Sequence, residues 1–301
     1  MPENRAWALP YLALVLNALV WGVSWWPLRE LQGEGLHPLW SSAFTYLLGA
    51  LAMLCFMPKV WGEFVRHKAL WLLALAAGTT MVGFNWGVSI GEVIRVVLLF
   101  YLMPIWAVLI ARVALNERIT LKALLRVALA FAGAVLVLSP NGSLGFPVPS
   151  NLAEWLGLMG GAAFALNNIM LRHQAARTAQ ARLFAMFVGG IVAPSAVAAL
   201  LALLLGEGNA FVQWPVLPGF YGGLVLLAFA VTLLVANYGL QYGASRLPAN
   251  VTSVVMLSEV VFATLSAIVL TQEVLTLQVG IGGAMIVLAA ALSALENQDA
   301  H

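Results

Sequence analysis

The sequence predicts an all-α integral membrane protein, with ten transmembrane helices arranged as two inverted five-helix repeats. Three observations predict it. Hydrophobic residues make up 62% of the 301-residue chain and charged residues 9%, against about 25% charged in soluble domains; the mean hydropathy is +0.96. The apolar residues gather into ten segments of bilayer-crossing length, joined mostly by short connections. Parts of the first half also recur in the second.

In chain order the segments are roughly 9–28, 38–57, 69–90, 93–113, 121–138, 152–171, 183–205, 219–243, 248–270 and 277–295. The first is too long, and too poor in a small-residue cleavage motif, to read as a secretory signal. Two connections, 139–151 and 206–218, are rich in Pro and Gly and contain neither Lys nor Arg. The first of them is the natural joint, giving units 1–145 and 146–301 within one membrane domain.

Charge then sets orientation. With a cytoplasmic N-terminus, eleven of the fourteen basic residues fall on inside segments and only Arg29 and Arg95 fall outside. That asymmetry follows the positive-inside rule and places both termini in the cytoplasm.

The repeat shows at two places. Residues 104–117, PIWAVLIARVALNE, match 260–273, VVFATLSAIVLTQE, each an apolar run ending in Glu (Glu117, Glu273) with a Thr three residues on. Thr120 and Thr276 read as N-caps of the next helices, with the preceding Glu near the positive helix end. Upstream, Asn85-Trp86-Gly87 with Gly91 echoes Asn237-Tyr238-Gly239 with Gly243. Each unit has five spans, an odd number, so the second runs opposite to the first. Such inverted repeats place a solute site at their interface near mid-membrane.

Glu259 is the residue that such a site would use. Read as one helix, 248–270 has eleven residues on either side of it, so Glu259 sits near the centre of a roughly 30 Å hydrocarbon core. A charged group there costs about 2.5–3.5 kcal/mol on insertion scales and faces protein or a watery cavity. Thr252 and Ser266, seven residues before and after, share its face. The stripe is either part of a solute or proton pathway or a hydrogen-bonded lock between two helices. Asn85 and Asn237 are placed symmetrically and either bond to backbone across the interface or line the cavity. The Gly-x-x-x-Gly pairs 87/91 and 239/243 serve close helix packing or a hinge. Asn17, Asn167 and Asn168 add further amides. Most aromatics lie near span ends, where the interfacial belt accounts for them; Trp21, Tyr101 and Phe164 lie deeper, as packing or as a cavity wall.

Other chemistries find little support. Cys55 is the single cysteine, the four histidines lie in loops or at the terminus, and the only Asp is Asp299 in the tail. No metal cluster, phosphate loop or aspartyl dyad can be assembled, and no cofactor is expected. Gly87-Val-Ser89-Ile-Gly91 matches a nucleophile pattern by letter but lacks its strand-turn-helix setting and a His partner. The net charge of +2 leaves no basic block for nucleic acid. A non-enzymatic protein is expected, with the bilayer and a small solute as partners and a proton as a further candidate.

The Pro104–Glu117 stretch with Thr120 and Gly133, and the later one with Glu259, Glu273, Thr276 and Gly282, resemble the drug/metabolite transporter superfamily in its ten-span duplicated form. The second copy departs from the pattern, with Val260 where a proline like Pro104 is common. The resemblance implies a secondary transporter, usually an exporter of small metabolites, and the bacterial aromatic amino-acid exporters are the nearest branch. That implies the bacterial inner membrane. Alternating access is the expected mechanism, with Trp21, Asn85, Tyr101, Phe164, Asn168, Asn237 and Glu259 expected to contact the solute. A facilitator, an exporter of amphipathic drugs and a non-transporting receptor or scaffold are the competing readings.

Overall fold

A computed structural model describes residues 3–114, 120–139, 148–174, 176–206, 212–247 and 249–296. Glu117 and the joint between the two units, at 145/146, lie outside them. The described residues form helices α1 (Glu3–Val23), α2 (Trp25–Gly33), α3 (Pro38–Phe56), α4 (Lys59–Arg66), α5 (Lys68–Ile90), α6 (Val93–Phe100) and α7 (Met103–Ala114). They continue as α8 (Leu121–Leu138), α9 (Leu152–His173), α10 (Ala179–Leu205), α11 (Phe220–Ala244), α12 (Ala249–Met256), α13 (Ser258–Thr271) and α14 (Leu277–Glu296).

Eight helical stretches are long and apolar enough to cross a bilayer. They are Ala8–Gly33, Pro38–Phe56, Lys68–Ile90, Val93–Ile110, Leu121–Leu138, Ala179–Leu205, Phe220–Ala244 and Val254–Thr271. They correspond to eight of the ten predicted segments. The other two are α9, whose apolar content is diluted by Glu154 and two asparagines, and the shorter apolar run Leu277–Leu292 of α14.

Caps mark the helix starts as the sequence indicates. The Thr120 hydroxyl accepts from Ala123 N (3.1 Å) and that of Thr276 from Val279 N (3.3 Å). His37 Nδ1 accepts from Leu39 N ahead of Pro38, the position at which a missing N–H costs nothing. At α9 the cap is reciprocal: Asn151 Oδ1 accepts from Glu154 N (3.0 Å), and the Glu154 carboxylate accepts from Ser150 N (2.7 Å).

Between α3 and α5 the short α4 turns Val60 and Phe64 inward and leaves Trp61 exposed. Phe64 stacks on Trp71 at 5.8 Å and meets Phe184 of α10 edge-on. Glu63 then accepts from the amide and hydroxyl of Thr178 (3.1 and 2.7 Å), while Thr178 caps α10 through Ala181 N. Burial pushes the Glu63 carboxyl upward, but the Thr178 bonds and the charges of His67 and Arg177 outweigh it and hold it below its ordinary value. The stability this supplies is complete at neutral pH and is lost as pH falls through the lowered value. Thr178→Ala should remove about 1 kcal/mol of capping and flatten that acid limb, as read from thermal midpoints measured across pH.

Helix pairing has an internal regularity. Helix α5 packs on α9 as α11 packs on α1, and α5 packs on α10 as α11 packs on α3. Helices α6 and α7 pack on α9 as α12 and α13 pack on α1, while α3–α10 and α8–α14 pair with each other. These named pairings stay the same when the helices of the first five predicted segments are exchanged for those of the last five. Glycines set the closest approaches. A Cβ on Gly133 would lie 2.6 Å from the Gly282 carbonyl oxygen, and one on Gly282 would lie 2.7 Å from that of Gly133. Gly87 and Gly91 lie against Ala153, and Gly239 and Gly243 against Ala13 and Leu14. All four glycines therefore sit at packed helix contacts.

Candidate solute site at two broken helices

The ninth predicted segment is not one continuous helix. It breaks at Leu257, where Leu257 N bonds to Val254 O (3.2 Å) and Val260 N to Leu257 O (3.1 Å). Both are the tighter three-residue spacing of a 3₁₀ turn. Ser258 Oγ back-bonds to Val255 O at 2.7 Å, a contact that bends helices. The fourth segment breaks the same way: Leu102 N bonds to Leu99 O (3.2 Å) and Ile105 N to Leu102 O (3.0 Å). Leu102 and Leu257 thus hold the same place in the two breaks, one residue out of step with the match between 104–117 and 260–273.

The two breaks are joined. Tyr101, directly after α6, donates its hydroxyl to Glu259 Oε2 at 3.0 Å, and both side chains are buried. Glu259 lies in the first turn of α13, where the positive end of the helix favours an anion. Close backbone contact holds the neighbours in place. A Cβ on Gly22 of α1 would meet the Glu259 carbonyl oxygen at 2.8 Å, and one on Gly157 of α9 would meet that of Val96 at 2.9 Å.

Five rings run from this pair across four helices. Tyr101 meets Phe100 edge-on at 5.8 Å, and Phe100 lies 4.8 Å from Phe84 and 5.2 Å from Phe164. Phe84 continues to Trp21 at 6.2 Å. Trp21, Tyr101 and Phe164, distant in sequence, are therefore brought together. The rings that connect them, Phe84 and Phe100, are buried and were not singled out by the sequence. Trp21 and Phe164 remain only half-buried and are the two with free surface.

The amides divide. Asn85 is buried and donates to Ser42 Oγ of α3 (3.0 Å), and Asn237 donates to Leu233 O of its own helix (2.8 Å). Asn168 is exposed, whereas Asn167 is buried. Both side-chain polar atoms of Asn167 and of Asn17 are buried without a hydrogen-bond partner among the described residues. Thr252 and Ser266 do not form one straight stripe with Glu259, because the break separates Thr252 from the other two. Ser266 Oγ instead accepts from Trp25 Nε1 at 3.0 Å.

Glu273 also departs from the expectation. Its carboxylate does not serve the helix that follows; it accepts from Val93 N (2.9 Å) and Ile94 N (3.1 Å) at the start of α6. Helices α6 and α13 are consequently tied twice, by Glu273 at one end and by Tyr101–Glu259 at the other. Among the described residues no group of three or more His, Cys, Asp or Glu side chains is placed to hold a metal.

Residues 8–139 match the EamA-like transporter family. The chain is also 26% identical over 277 residues to an uncharacterized transporter of Archaeoglobus fulgidus, covering 91% of this chain and 92% of the relative. A solved crystal structure shares the fold with a TM-score of 0.57, at 19% identity and over 97% of this chain and 98% of the other. The family match and the archaeal relative support a multi-pass membrane transporter of small solutes. They point away from an enzyme.

Proposed function

We propose that this EamA-like protein is a secondary exporter of aromatic or other neutral amino acids in the bacterial inner membrane, working by alternating access. The reading takes ten spans in two inverted five-helix units, 1–145 and 146–301, with both termini cytoplasmic. The interchangeable helix pairing and the two equivalent breaks support the repeat, and the eleven-to-two basic bias supports the orientation. The observation that carries the function is the Tyr101–Glu259 bond between the two breaks, at the end of the aromatic array. Discontinuous membrane helices present half-helix ends to polar solute groups, and the rings of Trp21 and Phe164 offer stacking partners.

A solute with one ring and one polar head suits that combination. A nucleotide sugar does not, because its phosphates need inward-facing cations at this depth. Purified protein in liposomes should move phenylalanine and tryptophan faster than aspartate or lysine. Aromatic contacts add about 0.5–1.5 kcal/mol each, so Trp21→Ala or Phe164→Ala should reduce that preference roughly 2- to 10-fold. Equal rates for charged and aromatic amino acids would remove the substrate assignment and leave a transporter of other amphipathic solutes.

A further inference from the structure

A second polar feature lies well away from the Tyr101–Glu259 pair. Helix α13 separates Glu259, in its first turn, from Glu273, just past its end; fourteen residues at helical rise span about 21 Å. Where α5 and α13 end and α6 and α9 begin, a cleft of about 820 Å³ opens, lined among others by Arg29, His37, Trp86, Glu92 and Glu273. That size is in the range of small-molecule sites.

The Arg29 guanidinium is fixed from behind. Its Nε donates to Ser89 O (3.2 Å) and its Nη2 to Val88 O (3.2 Å) and Gly91 O (2.5 Å), the carbonyls at the end of α5. The Trp25 ring lies 4.9 Å from its Cζ. Its Nη1 has no hydrogen-bond partner among the described residues, and the side chain keeps 27% of its surface exposed. Two donors of a rigidly held cation are thereby left to the cleft. Glu273 stands 4.0 Å from Nη2, with each oxygen engaged by one α6 amide and able to accept again. Trp86 and His37 meet edge-on at 5.5 Å and form an aromatic wall. Burial pushes the His37 imidazole down to about 4, so the ring is neutral at physiological pH and Arg29 is the cation that lines the cleft.

A simple anion in this cleft would meet Glu92 and Glu273, and a simple cation would meet Arg29. We propose that the cleft is a second solute station for an aromatic amino-acid zwitterion, its carboxylate on Arg29 Nη1, its ammonium toward Glu273 and its ring against Trp86 and His37. The choice of solute rests on the function proposed above; the station itself does not depend on Glu259.

The test uses full-length protein with Cys55→Ser and a reporter cysteine at Gln32, an exposed residue of the cleft lining. L-Phenylalanine at about ten times its dissociation constant should slow alkylation of the reporter roughly tenfold. Phenethylamine, which keeps ring and ammonium but lacks the carboxylate, and 3-phenylpropionate, which lacks the ammonium, should protect far less. Arg29→Gln should abolish protection, while Glu259→Gln should leave it intact even where transport changes. The ligand series needs no change at Arg29, so it decides the matter even if that variant fails to fold. Equal protection by phenethylamine, absence of protection by phenylalanine, or protection that disappears with Glu259→Gln would each overturn the second station. Failure of transport with protection retained would instead count against the exporter reading alone.

Discussion

Glu259→Gln is expected to leave a folded protein whose transport no longer varies with pH, while Tyr101→Phe should slow transport and leave it dependent on pH. Among the described residues the Glu259 carboxyl has one hydrogen-bond partner, the Tyr101 hydroxyl, and both groups are withdrawn from water. Glutamine preserves the shape and still offers an oxygen to that hydroxyl, but it cannot gain or lose a proton. A charge buried away from water is costly unless paired, so exposing Glu259 to one side of the membrane and then the other would change its proton occupancy. That change is the step glutamine removes. Over a pH range in which the native rate varies several-fold, the variant's rate should stay constant within roughly twofold. Removing the hydroxyl has the opposite signature, because the carboxyl still titrates but loses its donor. A hydrogen bond to a charged group is worth about 1.5–3 kcal/mol, so the expected loss in rate is on the order of 10- to 100-fold. If Glu259→Gln transports with an unaltered pH profile, the residue is a lock between α6 and α13 and carries no proton.

The membrane class and the positions of the spans were legible because they depend on composition and length, which bilayer thickness fixes. The breaks were not. Pro104, the second residue of α7, could have marked the first, but neither Gly nor Pro stands at Leu257-Ser258, and those are the usual signals of interruption. The second arises from a serine back-bond and from the close approach of Gly22, neither of which has a sequence period. Asn167 and Asn168 illustrate a second limit. They lie about 100° apart on one helix, and in a helix apolar on all sides no hydrophobic contrast tells which amide points inward. Nothing in the pattern set Phe84 and Phe100 apart from the belt aromatics for that reason too, although Gly160-Gly161 on α9, which abut Phe84 N and Phe100 O, could have marked the approach. Glu273 shows a third limit. Proximity in sequence assigned it to α14, but the helix start that needed its two acceptors was that of α6, 180 residues earlier.

Gly189→Val should prevent recovery of folded, monodisperse protein, and Gly189→Ala should lower the thermal midpoint by far more than alanine at Gly62 or Gly223. Gly189 of α10 faces the Ala74 carbonyl of α5, and Gly78 of α5 faces the Gly189 carbonyl in return. Each added Cβ would collide with main chain, which cannot rotate away as a side chain can. Overpacking in a close-packed interior costs about 1–3 kcal/mol, and sometimes more; here even one methyl should reach the top of that range. The bilayer supplies no hydrophobic drive to hold helices together, so their association depends on close backbone contact and packing. Separating α5 from α10 would also disturb α5 against α9, and with it Phe84 at the centre of the ring array. Gly62 and Gly223 have open space where a Cβ would stand, and alanine there should be neutral or slightly stabilising through its higher helix propensity. A Gly189→Ala midpoint equal to that of Gly62→Ala would show that the α5–α10 contact is looser than the Gly78–Gly189 approach requires.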